Sequence, residues 1–304
     1  MSSTTFGGAS KREWRIALEE FRQFDLGNFQ CDSLWFLVMK LQRKGNTWPI
    51  CSALVCAGLA LVGCGGGGAG SSSSVSLTNG LIHEWKFDGD ATDSVGTLNG
   101  TTVGAVTYAK GILGQGIVLD GNTMAVTLPA AADMQFQGSF SLSAWANIFS
   151  YPSPSKGASQ IIFCGDDRGG LDPYYMSISP YGTLQFEVCG AAVPNEGLQV
   201  FGGDLPLNTF ALISATYDQP SGTMRLYENG KLIGELLGHS DLTPVVPLDP
   251  SSNPGIGIGN NNAFPVSSYN YGWNGEIDDV RVYNRALSAA EVLALYNQGI
   301  AASR

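Results

Sequence analysis

Short runs rich in β-branched and aromatic residues recur every ten to fifteen residues from Leu81 onward, punctuated by Gly, Pro, Asn and Asp. That rhythm leaves little room for helices and is the pattern of an all-β sandwich. Ser139 to Ile148 shows the alternation best: Phe140, Leu142, Ala144 and Ala146 face one way, Ser139, Ser141, Ser143 and Trp145 the other. One face is core, and Trp145 on the opposite side implies a second surface that is covered or concave. Asn229-Gly230, between two strand-like runs, is a type I′ hairpin signal, because both residues tolerate positive φ. The passage Gly275 to Leu295 reads as a strand, a turn and a helix in succession. Ile277, Val280, Val282 and Tyr283 supply the strand, although Asp278 and Asp279 interrupt its alternation. Ser288 and Glu291 have capping-box spacing, Val292, Leu293, Leu295 and Tyr296 form one apolar helical face, and Gly299 is placed to end the helix.

The run Asp278-Asp279-Val280-Arg281-Val282-Tyr283-Asn284-Arg285-Ala286-Leu287-Ser288 resembles the closing signature of laminin-G-like, concanavalin A-type jelly-roll domains. Earlier stretches match in order: Leu81 to Ser94, Gly116 to Gly121, Ser139 to Ile148, Phe210 to Asp218 and Met224 to Gly234. The resemblance covers about residues 81–298. It implies an all-β, two-sheet antiparallel jelly-roll sandwich with one short C-terminal helix, occupying residues 81–299, with the first and last strands paired. It implies little about activity, since one fold hosts many functions.

Composition narrows the classes. The chain has 304 residues, of which 14% are charged, and a formal net charge of −10. From Gly65 onward there are 21 acidic and 9 basic residues, a net of −12. Nucleic acid demands a Lys/Arg stripe that this chain lacks. Of six cysteines, only Cys164 and Cys189 fall within the domain. Oxidising surroundings favour a disulfide between them. A flat meander with a strand between the two would hold them too far apart. The sequence leaves both outcomes open.

The first part of the chain reads as a leader. Met39 to Lys44 is a basic n-region, and Ile50 to Val62 is an apolar run of signal-peptide length, too short for a spanning helix of about 20 residues. Leu61-Val62-Gly63-Cys64 resembles the bacterial lipobox, which implies lipidation at Cys64, a signal peptide over residues 39–64 and a lipid-anchored protein of the cell envelope. With Gly65 after the cysteine, the resemblance points to the outer membrane, on its periplasmic face or at the cell surface. Residues 65–80 form a Gly/Ser-rich linker that cannot pack a core. Residues 1–38 precede the expected start and read as a non-native or disordered extension, with a cytoplasmic tail as the alternative.

Chemistry is sparse. Gly275-Glu276-Ile277-Asp278-Asp279 superficially resembles the Glu-x-Asp-x-(x)-Glu catalytic strand of glycoside hydrolases sharing this fold. Val280 and Arg281 stand where the second Glu belongs, so the motif is broken at the position of one of the two carboxyl groups, about 5 Å apart, that retaining hydrolysis needs. His83 and His239 are isolated and read as structural or exposed, so no enzyme site is expected. Related laminin-G-like domains bind calcium where the first loop meets the last strand. The resemblance therefore implies a structural Ca²⁺ at Asp88 and Asp93 with Asp278 or Asp279. Asp166, Asp167 and Asp172 form a weaker cluster, read as a solvated hairpin loop. For ligands, the aromatic and amide loop Asn260 to Trp273 stands out, since sugars stack on aromatic faces and bond to flanking amides. Its candidates are Asn260, Asn261, Asn262, Phe264, Tyr269, Tyr271 and Trp273, with Tyr174 and Tyr175 from a neighbouring strand. The bland alternative is an apolar loop covering the sandwich edge. The expectation is a non-catalytic module for a glycan or glycoprotein. The rival is an adhesion or assembly protein with a protein partner, and a third possibility is an enzyme with an unfamiliar site.

Overall fold

A computed structural model describes residues 75–166, 168, 172–192, 197–261 and 271–304. The leader, Cys64 and most of the linker lie outside the described residues. In chain order the strands are β1 (Leu81–Trp85), β2 (Thr101–Val103), β3 (Thr107–Lys110), β4 (Gln115–Asp120), β5 (Ala125–Pro129), β6 (Phe140–Ile148), β7 (Ser159–Gly165) and β8 (Tyr174–Ile178). There follow β9 (Leu184–Cys189), β10 (Gly197–Gly202), β11 (Ala211–Asp218), β12 (Thr223–Glu228), β13 (Lys231–Leu236), β14 (Gly255–Ile258) and β15 (Asn274–Tyr283). Helix α1 (Ala289–Ala302) closes the chain.

The strands form two antiparallel sheets. Sheet A has eight strands in the order β13-β12-β11-β6-β15-β4-β3, with β1 also on β15; sheet B has seven in the order β10-β9-β8-β7-β14-β5-β2. The expected pairing of first and last strands is present, from Leu81 opposite Tyr283 to Trp85 opposite Val280. β15 is long enough to hold β4 along its first half and β1 along its second. Between the halves the ladder with β6 shifts by one residue, because three steps on β15 (Asp278 to Arg281) oppose two on β6 (Trp145 to Ser143). The extra residue is a β-bulge. Asp279 takes φ of 51°, left-handed backbone that Asp tolerates better than most residues. The Asp pair that breaks the alternation thus resets its phase, so that Ile277, Val280 and Val282 all reach the core.

The inter-sheet core contains Phe140, Leu142, Ala144 and Ala146 of β6 with Ile213, Ala215 and Tyr217 of β11, facing Tyr174, Met176, Phe186, Val188, Ile256 and Ile258 of sheet B. Phe140 is its hub, with ring centroids 4.2 Å from Phe136, 5.2 Å from Tyr174 and 6.0 Å from both Phe186 and Tyr217. The other face of sheet A is also buried. Trp145, Leu212, Tyr227 and Tyr283 pack under Leu287, Val292 and Leu295, and Trp145 stacks on Tyr296 at 5.8 Å. This is the covered surface that Trp145 required, and α1 is the cover.

The capping box at the start of α1 is complete: Ser288 Oγ accepts from Glu291 N, and Glu291 Oε2 accepts from Ser288 N. Gly299 does not end the helix, which runs three residues further to Ala302. It lies inside, where a Cβ would stand 2.2 Å from the Trp145 ring, so its missing side chain makes room for the indole. Leu293, expected on the apolar face, is 46% exposed. The Asn229-Gly230 hairpin is as expected, with φ of 51° and 78°.

Candidate functional site

The middle strands of sheet A are buried on both sides, whereas on the outer face of sheet B Tyr175, Gln185 and Glu187 are half-buried and Gln199 and Phe201 exposed, with Phe163, Ser177 and Cys189 buried beside them. The alternation of this face comes from β9, where Leu184, Phe186 and Val188 are buried while Gln185 and Glu187 are only half-buried. Register aligns a row across four strands: Phe163 opposite Tyr175, Tyr175 opposite Glu187, and Glu187 opposite Gln199. Phe163 is only 5% exposed, so the open part of the row runs from Tyr175 to Gln199, two strand spacings or roughly 10 Å. A second row holds Ser177, Gln185 and Phe201.

Hydrogen bonds tie the row together. Tyr175 Oη donates to Glu187 Oε2 at 2.7 Å, and Gln199 Nε2 donates to Tyr175 Oη at 2.8 Å and to Glu187 Oε2. Burial, reinforced by the Glu187 charge, pushes the Tyr175 hydroxyl well above its ordinary pKa, so it stays a neutral donor. Phe201 is 48% exposed beside them, an apolar platform next to fixed donors and acceptors. Asp172 stands at the end of the row, near the ring of Phe163. Burial first, then the negative charges of Glu187 and Asp166, raise its pKa to about 7. Gln185, Glu187, Gln199 and Phe201 were not among the expected ligand residues. The alternating positions of β9 and β10 were their only signal.

Of the expected ligand residues, Tyr175 belongs to this face. Its neighbour Tyr174 points the other way, fully buried in the core with its hydroxyl donating to Met134 O at 3.1 Å. Period two on a strand separates the pair. Trp273 is likewise core, 0% exposed, with Nε1 donating to Asn147 O. Asn260 is 0% exposed and serves the backbone, its Oδ1 accepting from Asn261 N and Tyr271 N. Asn260 and Asn261 fold against β14, where a Cβ on Gly257 would meet their backbone. Tyr271 is half-buried. Asn262, Phe264 and Tyr269 lie outside the described residues.

The four carboxylates expected to share calcium fall into three hydrogen-bond systems. Asp93 is 6% exposed and accepts from the backbone N–H of Glu84, Val95, Gly96 and Leu98, while His83 Nδ1 lies 2.7 Å from its Oδ2. Burial opposes its ionisation, but these bonds outweigh it and hold its pKa below the usual range. Asp279 pairs with Arg281, which also bonds Glu84. Asp278 Oδ2 accepts from Ile112 N and Leu113 N, and Asp88 Oδ1 from Gln115 N, so these two anchor the β3–β4 turn. Asp278 Oδ1 makes no hydrogen bond. Among the described residues no group of three His, Cys, Asp or Glu side chains could hold a metal ion. Of the expected ligands, the structure brings Asp88 and Asp278 to one turn and sets Asp93 and Asp279 in networks of their own.

Asp166 is not solvated either: it is 6% exposed and held by Arg168 at 2.6 Å. Cys164 and Cys189 are free thiols. Cys164 aligns with Tyr174 and Val188 on the core side, whereas Cys189 follows the outward Glu187 at period two. The two therefore face opposite sides of sheet B with β8 between them, which rules out a bond of disulfide reach.

A family profile described as the concanavalin A-like lectin/glucanases superfamily matches residues 120–293. The chain belongs to this superfamily. No curated protein sequence matches it. Among solved structures it is similar to domain 4 of AbnA, a GH43 extracellular arabinanase from Geobacillus stearothermophilus, in complex with arabinotriose. That match has 21% identity and a TM-score of 0.53 and covers 71% of this chain and 98% of that one. It is also similar to the binding domain of botulinum neurotoxin DC in complex with SialylT (16% identity, TM-score 0.53, covering 74% and 52%). The same toxin domain in complex with rat synaptotagmin II gives 15% identity, a TM-score of 0.54 and coverage of 74% and 52%. The chain thus spans about half the length of the toxin domains it matches. At these identities the likeness is one of fold; the neighbours are binding domains.

Proposed function

We propose that this superfamily member is a non-catalytic binding module for carbohydrate, and that the ligand lies on the outer face of sheet B. One observation carries this reading: the Tyr175–Glu187–Gln199 row, with fixed donors and acceptors beside the exposed ring of Phe201. Sugar rings present C–H faces to aromatic groups and hydroxyls to fixed polar groups, and this surface offers both. Structural neighbours crystallised with arabinotriose and with SialylT support the class. Following the lipobox resemblance, the module is tethered by a lipid on Cys64 to the cell envelope, at the outer membrane.

Titration calorimetry with neutral oligosaccharides tests the site. Tyr175→Ala is expected to weaken binding by at least about tenfold, a loss of roughly 1.4 kcal/mol, while the fold persists. Unchanged affinity would reject the face. A protein ligand is the second reading, favoured by the neighbour solved with synaptotagmin II. Capture of a protein partner with no sugar binding at millimolar concentration would favour it.

A further inference from the structure

Glu187 is the only charged residue in the seven described strands of sheet B, whose sequences contain no Lys, Arg or His. Its carboxylate is held in place by Tyr175 and Gln199, with the Cys189 thiol 3.5 Å from the other oxygen. At the end of the row stand Asp172 and Asp166. The one guanidinium there, Arg168, is committed: Nε donates to Asp166 Oδ1 at 2.8 Å, Nη2 to Asp166 Oδ2 at 2.6 Å and to Pro247 O at 2.8 Å. Other cations are placed elsewhere. Lys110, Arg225, Lys231 and Arg281 are on strands of sheet A, and Lys86 and Arg285 pair with Glu84 and Glu291. Residues 167, 169–171, 193–196 and 262–270 contribute Asp167 and Glu196 to the sequence and no Lys, Arg or His.

We propose that the ligand is an uncharged glycan and that Glu187 is the residue that excludes acidic sugars. The inference rests on the placement of the carbohydrate site on sheet B. A sialic or uronic acid carboxylate would lie against a fixed carboxylate with no free cation within the row to answer it. Like charges a few ångströms apart in a partly desolvated site cost a factor of about ten or more in affinity. A neutral sugar meets the same group as a hydrogen-bond acceptor for its hydroxyls, which is the stronger, charge-assisted kind of bond.

The experiment is calorimetry with two panels, neutral arabino-, xylo- and gluco-oligosaccharides and sialylated or uronic acid oligosaccharides, at low and raised salt. Neutral ligands are expected to bind at least about tenfold more tightly, with the gap narrowing as salt screens the repulsion. Glu187→Gln, which keeps the shape and removes the charge, should narrow it further. Gln185→Arg, adding a cation on the same face, should bring acidic ligands into the binding range. Acidic ligands that match the neutral ones on the native protein would overturn the selectivity and leave the carbohydrate site standing. A preference for neutral ligands that neither variant moves would likewise overturn the role of Glu187 and spare the site. Failure of both panels overturns site and selectivity together.

Discussion

Asp172 shows how one side chain records the field of its surroundings. Its carboxyl has little water around it and faces the charges of Glu187 and Asp166, so the fold holds its pKa at about 7. Folded protein then keeps a proton that the unfolded chain, with an ordinary Asp pKa near 4, has already released. Stability therefore falls as pH rises from about 4 to about 7. Asp279 and Asp278, raised to about 7 and about 6 chiefly by burial, act in the same direction. Below that window Glu291, lowered to about 2 by Arg285, acts the opposite way, since its stabilisation is lost as acid protonates it. Melting temperature should accordingly peak in mildly acidic buffer. Asp172→Asn should raise it by about 2–4 °C at pH 8 and change little at pH 4, the equivalent of about 1 kcal/mol in a domain of this size. Parallel pH profiles for the two proteins would refute the assignment.

Among the elements, α1 depends on a contact that local rules misread. A glycine near a helix end ordinarily marks its stop. Here Gly299 is interior, and the deciding fact lies on β6, where the Trp145 indole occupies the space a methyl group would need. Gly299→Ala sets helix propensity, worth about 1 kcal/mol in its favour, against overpacking of typically about 1–3 kcal/mol. A Cβ at 2.2 Å from a buried ring puts the balance on the side of overpacking. Chemical denaturation should show a net loss of about 1 kcal/mol together with altered tryptophan fluorescence; a stabilised protein would contradict it. The bulge in β15 is a similar case. Asp278 and Asp279 read as interruptions of a strand, yet one latches the β3–β4 turn and the other pairs with Arg281.

For the whole molecule, the two sheets have divided their labour. The middle strands of sheet A are buried twice, by the core and by α1, and sheet B keeps an outward face whose strands carry one negative charge. The lipid proposed on Cys64 would tether the protein to the envelope. Fatty-acid labelling of cells should mark the protein and fail on Cys64→Ser, and label that persists would remove the anchor. The fold was legible in the chain because each strand carries its own period-two pattern and the turn and cap signals are local: Phe140 to Ile148, Asn229-Gly230 and Ser288 with Glu291 needed no distant partner to be read. The site was not. Tyr174 and Tyr175 are adjacent and chemically alike, and only the register of β8 between β7 and β9 sends one to the core and the other to Glu187. Trp273 looked like a sugar platform and is core. Cys164 and Cys189 looked like a possible pair and face opposite ways, because register puts Cys164 in the core row with Tyr174 and Val188 while Cys189 is one residue out of that phase.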